Sequence, residues 1–307
     1  MGKKKIISAS RRTDIPGWYT PWFMDRIRQG YFTVINPFNR QARRVDATPD
    51  SVHTIVFWSK NIGPFLDQNA HKQLTDLGFH LYFNITVNPE APVLEPGIPD
   101  LATRLNHLRQ LCGDLDPSYI TWRFDPICMY TQNGRHLTNA EGVTAIAETM
   151  GDMGIRRCVT SFYDPYKKVD RRIEHLMKSG MPKLVFSQPD THKKATIVRK
   201  LADMLSPKGI SLSLCCEKAL TDHLETAHLG GCVGIEPNAC IDGRRYKRLF
   251  GGNPETARDY GQRKEKGCLC TKSSDIGSYD QHPCHHNCLF CYARTGSDTE
   301  PENRRSQ

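Results

Sequence analysis

Residues 54–87 read TIVFWSKNIGPFLDQNAHKQLTDLGFHLYFNITV, and this stretch contains the repeating unit on which the fold depends. Two short runs rich in β-branched and aromatic residues, 54–59 and 80–87, flank a helical segment near 64–77. Gly78 follows the helical segment, at a place where glycine commonly ends a helix. A strand, a helix and a second strand in this order are typical of a βαβ unit with parallel strands.

The same alternation extends over roughly the first 215 residues, and it predicts the fold class. About seven or eight such units indicate an α/β protein with a TIM-like (β/α) parallel barrel, full or partial. A doubly wound open sheet is the alternative, although no GxGxxG or Walker-type loop follows any strand. The predicted strands are 5–10, 31–36, 54–59, 80–87, 119–124, 158–163, 183–187 and 210–215. The predicted helices are 21–29, 64–77, 101–112, 140–153 and 196–205.

Polar residues follow nearly every predicted strand. In a parallel barrel all of these strand ends lie at one rim, where substrates bind. Arginine binds carboxylate or phosphate in a bidentate manner, so arginines at the rim suit an anionic ligand. Ordinary loop polarity or an internal Arg–Asp pair is the alternative at any single position. The candidate catalytic residues are Arg11, Arg12, Asp14, Lys60, Asn88, Arg123, Asp125 and Glu217.

Composition and charge exclude several classes of protein. The chain has 307 residues, of which 38% are hydrophobic and 24% charged, so a buried core is within reach. No run of about 18 apolar residues is present, which predicts no membrane span. The first eight residues lack the apolar stretch of an export signal, so we expect a cytoplasmic protein. The net charge of +9 comes mainly from scattered residues and indicates a solvated surface that is compatible with a phosphate-rich partner.

Nine of the twelve cysteines lie between positions 215 and 291. A reducing compartment disfavours structural disulfides, so this concentration predicts metal binding. We expect residues 230–294 to be a cysteine-rich cluster-binding extension, packed on the mouth of a barrel that residues 1–229 form. Residues 295–307 contain no aliphatic or aromatic residue and predict a frayed tail.

Cys284, Cys288 and Cys291 (the loop cysteines) form a CxxxCxxC run, with Phe290 directly before the last cysteine. Three thiolates in one loop can hold three irons of a [4Fe–4S] cluster and leave the fourth iron open, whereas ferredoxin-type carriers usually supply four cysteines. Zinc is the alternative metal, because structural zinc sites commonly combine three cysteines with one histidine. Three histidines lie in the same segment: His282, His285 and His286.

The remaining cysteines predict a second metal site. Cys268 and Cys270 form a CxC pair, Cys240 lies upstream, and Cys215 or Cys216 follows a predicted strand. Four thiolates suit an auxiliary [4Fe–4S] cluster or a zinc ion, and their spacing does not choose between the two. For Cys215 or Cys216 the alternative role is that of a small buried hydrophobic residue.

The CxxxCxxC run, including its aromatic Phe290, resembles the cluster motif of radical S-adenosylmethionine (SAM) enzymes. The resemblance implies a full or partial (β/α) barrel, an open iron that binds SAM, and reductive cleavage of SAM to a radical. It also implies that Phe290 and Tyr292 lie beside the cofactor. In those enzymes the motif usually follows the first barrel strand, whereas here it lies at 284–291, and the usual Gly-Gly-Glu is missing.

The chain as a whole resembles the domain-of-unknown-function family 1848, which implies no known reaction. The motifs that carry this resemblance are SASRRTDIP (8–16), NPF (36–38), VFWSKN (56–61), WRFDP (122–126), CID (240–242), QR (262–263), CLC (268–270), DIG (275–277) and CLFCYA (288–293).

These observations lead to one principal expectation and two alternatives. The principal expectation is an iron–sulfur enzyme that cleaves SAM with an electron from a flavodoxin or ferredoxin and modifies an unidentified substrate, an anion being one option. The first alternative is a zinc-stapled basic module that binds nucleic acid, with an affinity that falls steeply with salt. The second is an iron–sulfur protein that only transfers electrons or senses, with every iron bound by cysteine.

Overall fold

An eight-stranded sheet, in which all neighbouring strands run parallel, forms the centre of the molecule. The computed structural model describes residues 2–36, 39–226, 235–261 and 263–293. The strands are β1 (Lys5–Ala9), β2 (Tyr31–Ile35), β3 (Ala42–Asp46), β4 (Val52–Ser59), β5 (His80–Thr86), β6 (Ile120–Ile127), β7 (Met129–Gln132), β8 (Arg135–Thr138), β9 (Arg157–Phe162), β10 (Leu184–Ser187), β11 (Ser211–Leu214), β12 (Glu236–Pro237) and β13 (Ser274–Asp275).

Helices connect most of the strands of this sheet. They are α1 (Ile15–Trp18), α2 (Thr20–Gln29), α3 (Gly63–Asp67), α4 (Ala70–Asp76), α5 (Leu101–Asp114), α6 (Val143–Asp152), α7 (Lys167–Lys178), α8 (Thr191–Leu205), α9 (Lys218–Thr226) and α10 (Gly243–Phe250). None of the described helices is both long enough and apolar enough to cross a membrane.

The strand order of the large sheet is β12-β11-β9-β6-β5-β4-β1-β13. From β1 to β12 each strand therefore lies beside the one that precedes it in this sheet, and the last strand, β13, returns to the side of β1. In this sheet the order reverses only for the two-residue strand β13, which lies on the other side of β1 from β4, whereas each half of a doubly wound sheet contains several strands. The prediction of an α/β fold with a parallel sheet is confirmed. Among the described residues no pairing joins β12 to β13, so the sheet is not closed into a full barrel.

Burial on both faces explains why the central strands are so apolar. In β4 every residue except Trp58 is buried, and β5 is buried from Leu81 through Ile85. The rings of Phe57 and Phe83 stack with centroids 5.2 Å apart across these two strands. A parallel sheet needs such continuous apolar runs because helices or loops cover both of its faces.

Two predicted strands do not belong to the parallel sheet. The strand predicted at 31–36 is β2, which pairs antiparallel with β3. The connection between these two strands is too short for a parallel crossover, which needs a dozen or more residues. The strand predicted at 183–187 is β10, which pairs antiparallel with β7, itself part of a hairpin with β8.

The cysteine-rich region supplies both edges of the parallel sheet. β12 extends it beyond β11, and β13 extends it beyond β1. Asp275 of β13 accepts hydrogen bonds from Ser8 Oγ (2.9 Å) and from the backbone N–H of Arg11 (2.8 Å). The expected boundary at 229/230, Cys232 and the tail 295–307 lie outside the described residues.

Several helix boundaries differ from prediction, and helices α7, α9 and α10 have no predicted counterpart. The helix predicted at 64–77 is two helices, α3 and α4, because Asn69 between them has a left-handed backbone with φ 50°. Gly113 does not end its helix, which continues to Asp114. Helix α8 begins five residues earlier than predicted, because the Asp190 side chain caps it by accepting from the N–H of Lys193.

Candidate functional site

A cavity of about 300 Å³ lies at the carboxyl ends of the parallel strands, the edge where ligands bind in folds of this kind. Residues that follow or end β1, β4, β5, β6, β9 and β11 line it together with cysteines from both predicted metal sites. The side chains that matter below are Arg11, Trp58, Lys60, Arg123, Asp125, Asp164, Cys215, Cys216, Cys240, Arg263, Cys268, Cys270, Phe290, Cys291 and Tyr292.

Half of the candidate catalytic residues line this cavity. They are Arg11, Lys60, Arg123 and Asp125. The other four lie outside its lining, and the expectation that all eight share one cavity is wrong for them: Arg12, Asp14, Asn88 and Glu217.

Asp14 is a buried capping residue rather than a group that faces the cavity. Its Oδ1 accepts from the N–H of Gly17 (2.8 Å) in α1. Its Oδ2 accepts from Ser59 Oγ (3.0 Å) and from the N–H of Lys60 (2.8 Å), and lies 2.7 Å from His286 Nε2. Both carboxylate oxygens are thus committed to holding three segments of chain together.

Three further candidates also have structural partners. Arg12 donates through Nη1 to the carbonyl of Gly277 (2.9 Å). Asn88 accepts a hydrogen bond from the N–H of Asp125 (3.0 Å) and so orients the end of β6, which contains Asp125. Glu217 accepts from a backbone N–H at the end of β9 (2.8 Å), and burial raises its pKa. Internal partners explain why these polar side chains turn away from the cavity.

A buried ion pair lies next to one of the loop cysteines. Lys60 Nζ lies 2.5 Å from Glu95 Oε1, and the Cys288 sulfur lies 3.9 Å from the same oxygen. Burial opposes the charge of Lys60, but Glu95, Cys288 and Asp125 together outweigh burial, so the pKa of Lys60 lies above its ordinary value. The Lys60 ammonium also lies 5.3 Å from the centre of the Phe290 ring, within reach of a cation–π interaction.

The segment 284–293 (the cysteine loop) is held by contacts with distant parts of the chain. Arg172 donates to the carbonyls of Leu289 and Cys291, each at 3.2 Å. The N–H of Leu289 donates to the carbonyl of Leu94 (2.8 Å). The backbone at Gly97 lies so close to the cysteine loop that an added Cβ would be 2.6 Å from the carbonyl oxygen of His286.

The three loop cysteines are near enough to one another to interact electrostatically. Burial raises the pKa of Cys284 to about 12 and raises the pKa of Cys288 well above its ordinary value. Backbone N–H groups of His286 and Asp14 approach the Cys284 sulfur and favour its thiolate. Buried thiols of this kind stay protonated unless a cation replaces the proton, and metal ions do this.

The second predicted set contains five thiols rather than four. Cys215, Cys216, Cys240, Cys268 and Cys270 (the five-thiol group) all line the cavity. The Cys215 sulfur lies 3.1 Å from that of Cys240 and 3.9 Å from that of Cys216. Further thiol–thiol interactions join Cys216 to Cys268, Cys268 to Cys270, and Cys270 to Cys240, so the sulfurs form a ring of neighbours.

Two polar side chains point at a sulfur of this group. Arg123 donates through Nη1 to Cys240 Sγ, and Asn238 donates through Nδ2 to the same atom, both at 3.0 Å. Thiol donors from Cys215 and Cys270, together with the Arg123 guanidinium, lower the pKa of Cys240 well below its ordinary value. Arg123 also pairs with Asp125 (2.6 Å), which keeps the guanidinium charged in a buried position.

The zinc site expected as the alternative requires ligands grouped around one ion. In the part of the chain that the structure describes, no three His, Cys, Asp or Glu side chains are grouped to hold a single metal ion. A closed zinc site needs four ligands about one ion, whereas the cysteines of a [4Fe–4S] cluster bind different irons. His286 is also committed, because its two ring nitrogens lie 2.7 Å from Asp14 and 3.2 Å from the carbonyl of Gly97. Among the described residues, His286 therefore does not complete a Cys₃His set with the loop cysteines.

The two residues expected beside a cofactor both line the cavity. Phe290 lies against Lys60, as described above. The ring of Tyr292 lies 5.5 Å from that of Tyr166 and 5.6 Å from the Arg263 guanidinium. Arg263 in turn pairs with Asp164 at 3.0 Å, so the cavity contains charges of both signs.

Several contacts that build the site were not predicted from the sequence. Glu95, Arg172 and His286 each make their decisive contact with a residue far away in the sequence. Gly97 has no local signal, because its lack of a side chain matters only where the cysteine loop packs against it. The burial of these charged side chains could not be predicted, because it depends on partners that only folding brings near.

Fold and site together define an α/β protein whose parallel sheet carries a cysteine-lined cavity at its carboxyl edge. The chain belongs to the family described as Domain of unknown function (DUF1848), whose model matches residues 6–293. The family resemblance is thereby confirmed, while the likeness of CxxxCxxC to the radical SAM motif stays a prediction. No curated protein and no solved structure matches the chain.

Proposed function

We propose that this protein is an iron–sulfur enzyme of the radical SAM type, with a [4Fe–4S] cluster bound by Cys284, Cys288 and Cys291. The observation that carries the proposal is the placement of Cys291 and Phe290 on the same cavity as the strand-end cations. A cluster with one iron not bound by protein supplies an electron and an open coordination position for SAM. The side chains that would surround the cluster and SAM come from this chain.

The cations of the cavity have a function in this proposal. Arg11, Lys60 and Arg123 line it, and each is held in place by a neighbouring acid or hydroxyl group. Guanidinium groups bind carboxylates and phosphates well, so they suit the carboxylate of SAM or an anionic substrate. The Lys60–Glu95 pair beside Cys288 adds a buried polar contact to the cluster pocket.

The position of the motif after the last strands is compatible with this function. Residues that follow β1 and β4 contact the cysteine loop through the Asp14–His286 and Lys60–Phe290 contacts. A loop that comes late in the chain can therefore reach the same sheet edge as a loop after the first strand. We also propose that the sheet is a partial (β/α) barrel, because its strands follow chain order and β13 returns to β1.

Anaerobic reconstitution with iron and sulfide, followed by metal analysis and EPR spectroscopy, tests the proposal. We expect a brown protein whose reduced-cluster EPR signal changes on addition of SAM. The Cys284→Ala variant should lose about four irons, the content of one cluster. Cys112→Ala is the matched control, because Cys112 lies on α5 and does not line the cavity.

Two results would contradict the proposal in different ways. A colourless, zinc-loaded protein that binds DNA or RNA in a salt-dependent manner would favour the nucleic-acid module. A brown protein whose EPR signal does not change on addition of SAM would favour an electron carrier or sensor, which would exchange electrons with a flavodoxin or ferredoxin. Reductive cleavage of SAM in the presence of such a reductant is the positive result.

A further inference from the structure

We propose that the five-thiol group is a second metal site, which holds an auxiliary [4Fe–4S] cluster on the wall of the same cavity. Four of its thiolates would bind the cluster. The inference does not rest on SAM chemistry at the loop cysteines, because the five thiols make their own set of contacts.

The five thiols converge from three separate segments of the chain. Cys215 and Cys216 follow β11, Cys240 follows β12, and Cys268 and Cys270 precede β13. These segments meet with sulfur–sulfur distances as short as 3.1 Å. No disulfide joins any of the described cysteines, and 3.1 Å is far longer than a disulfide bond of about 2.05 Å.

An unfavourable backbone conformation at Cys216 brings two adjacent thiols to the same cavity. Consecutive residues of an extended chain point to opposite sides. Cys216 has a left-handed backbone with φ 59°, and both it and Cys215 line the cavity. This conformation costs a non-glycine residue roughly 1–2 kcal/mol, so the surrounding contacts must maintain it. Cys268 and Cys270 need no such device, because residues two apart in an extended segment share a face.

Hydrogen-bond donors surround one of the sulfurs, that of Cys240. Arg123 and Asn238 both donate to Cys240 Sγ from buried positions. Hydrogen bonds from nearby polar groups to the ligand atoms are typical of metal–thiolate sites. Arg11, the other cation on this wall, interacts electrostatically with Cys270 and Cys240. The two guanidinium charges would offset part of the negative charge that four thiolates bring.

The five-thiol group contains enough ligands for an iron–sulfur cluster. The sulfurs form a ring of neighbours. Four cysteines are the complete ligand set of a [4Fe–4S] cluster. The ring offers one thiol more than this set requires.

Metal analysis of four anaerobically reconstituted proteins tests the proposal. Wild type should contain about eight irons per chain, and Cys268→Ala/Cys270→Ala should contain about four. Cys284→Ala/Cys291→Ala, which leaves the five-thiol group complete, should also keep about four irons and a brown colour. Cys112→Ala is the control and should match wild type.

The variants separate this proposal from the one above. A Cys284→Ala/Cys291→Ala protein without iron would overturn the second cluster even if Cys268→Ala/Cys270→Ala failed to fold. Loss of one zinc and no iron from Cys268→Ala/Cys270→Ala would overturn it in favour of a mononuclear site. Wild-type iron content in that double variant would overturn any metal role for the pair. If Cys268→Ala/Cys270→Ala still shows an EPR change on addition of SAM, the proposed function of the loop cysteines is supported independently of the five-thiol group.

Discussion

The Asp14 carboxylate and the His286 imidazole meet in a buried contact of 2.7 Å, although 272 positions separate them in the chain. Asp14 follows the first strand of the parallel sheet, and His286 lies between two of the loop cysteines. Their contact fixes a late loop to the carboxyl edge of the sheet. The cysteine loop is thus part of the sheet's rim rather than an appendage.

The Asp14–His286 contact should be required for both stability and cluster binding. In Asp14→Ala we expect a loss of about 1 kcal/mol for the α1 cap and about 1–3 kcal/mol for buried donors left without an acceptor. Iron at the loop cysteines should fall as well, because His286 loses its anchor. Urea unfolding and iron analysis measure the two effects. The exposed Asp67→Asn is the control, and equal behaviour of both variants would contradict the assigned role.

Gly97 should tolerate no side chain, because its Cβ would lie 2.6 Å from the His286 carbonyl oxygen and 2.8 Å from that of His285. In Gly97→Ala the cysteine loop must move, at a cost of about 1–3 kcal/mol for overpacking. Gly113→Ala is the matched control. An added Cβ there meets nothing within 4 Å, and alanine is the better helix former by up to about 1 kcal/mol. We expect thermal melting to shift downward for Gly97→Ala and upward or not at all for Gly113→Ala.

Asp164 should contribute a small, acid-sensitive part of the stability. Burial opposes its charge, but hydrogen bonds from Lys266 and Arg263 outweigh burial and lower its pKa. Because the folded pKa lies below the unfolded value of about 3.9, the contribution is complete above that pH and is lost as pH falls through the folded pKa. Both partners are partly exposed, so we expect less than about 1 kcal/mol. Unfolding free energies between pH 6 and 3 should fall less steeply in Asp164→Asn than in wild type.

Arg11 should matter for turnover more than for metal loading. Its guanidinium lines the cavity, donates to Ser273 Oγ (2.9 Å) and lies 3.8 Å from Asp275. In Arg11→Ala we expect unchanged iron at the loop cysteines and SAM cleavage reduced on the order of 10- to 100-fold, the effect of losing one charged hydrogen bond. The exposed Arg135→Ala serves as the control. Undiminished cleavage in Arg11→Ala would assign Arg11 to the packing of β13 alone.

Local patterns were sufficient to predict much of the sheet. The apolar runs that became β1, β4, β5, β6, β9 and β11 were all recognised, because a parallel strand buried on both faces must be apolar along its length. β2 and β10 have the same strand-like composition, yet they pair antiparallel elsewhere. The residue composition of a segment predicts that it is a strand, but it does not predict which other strand it will pair with.

The candidate site was predicted only in part, for a similar reason. Arg11, Lys60, Arg123 and Asp125 line the cavity as expected, since strand ends of a parallel sheet meet at one edge. Asp14 and Glu217 come from the same kind of position but are engaged by backbone N–H groups instead. Nothing in the order of residues says whether a polar side chain will find an internal partner.

The sequence by itself determined the α/β alternation, the two groups of cysteines and the strand-end position of the charged residues, because each depends on neighbours along the chain. Only the tertiary structure decided that Cys291 shares one cavity with the five-thiol group, that β12 and β13 form the two edges of the parallel sheet, and that Cys215 and Cys216 both line that cavity. Those features depend on contacts between segments as distant as Asp14 and His286. Such contacts form only when burial of the apolar strands brings the segments together, and no local pattern encodes them.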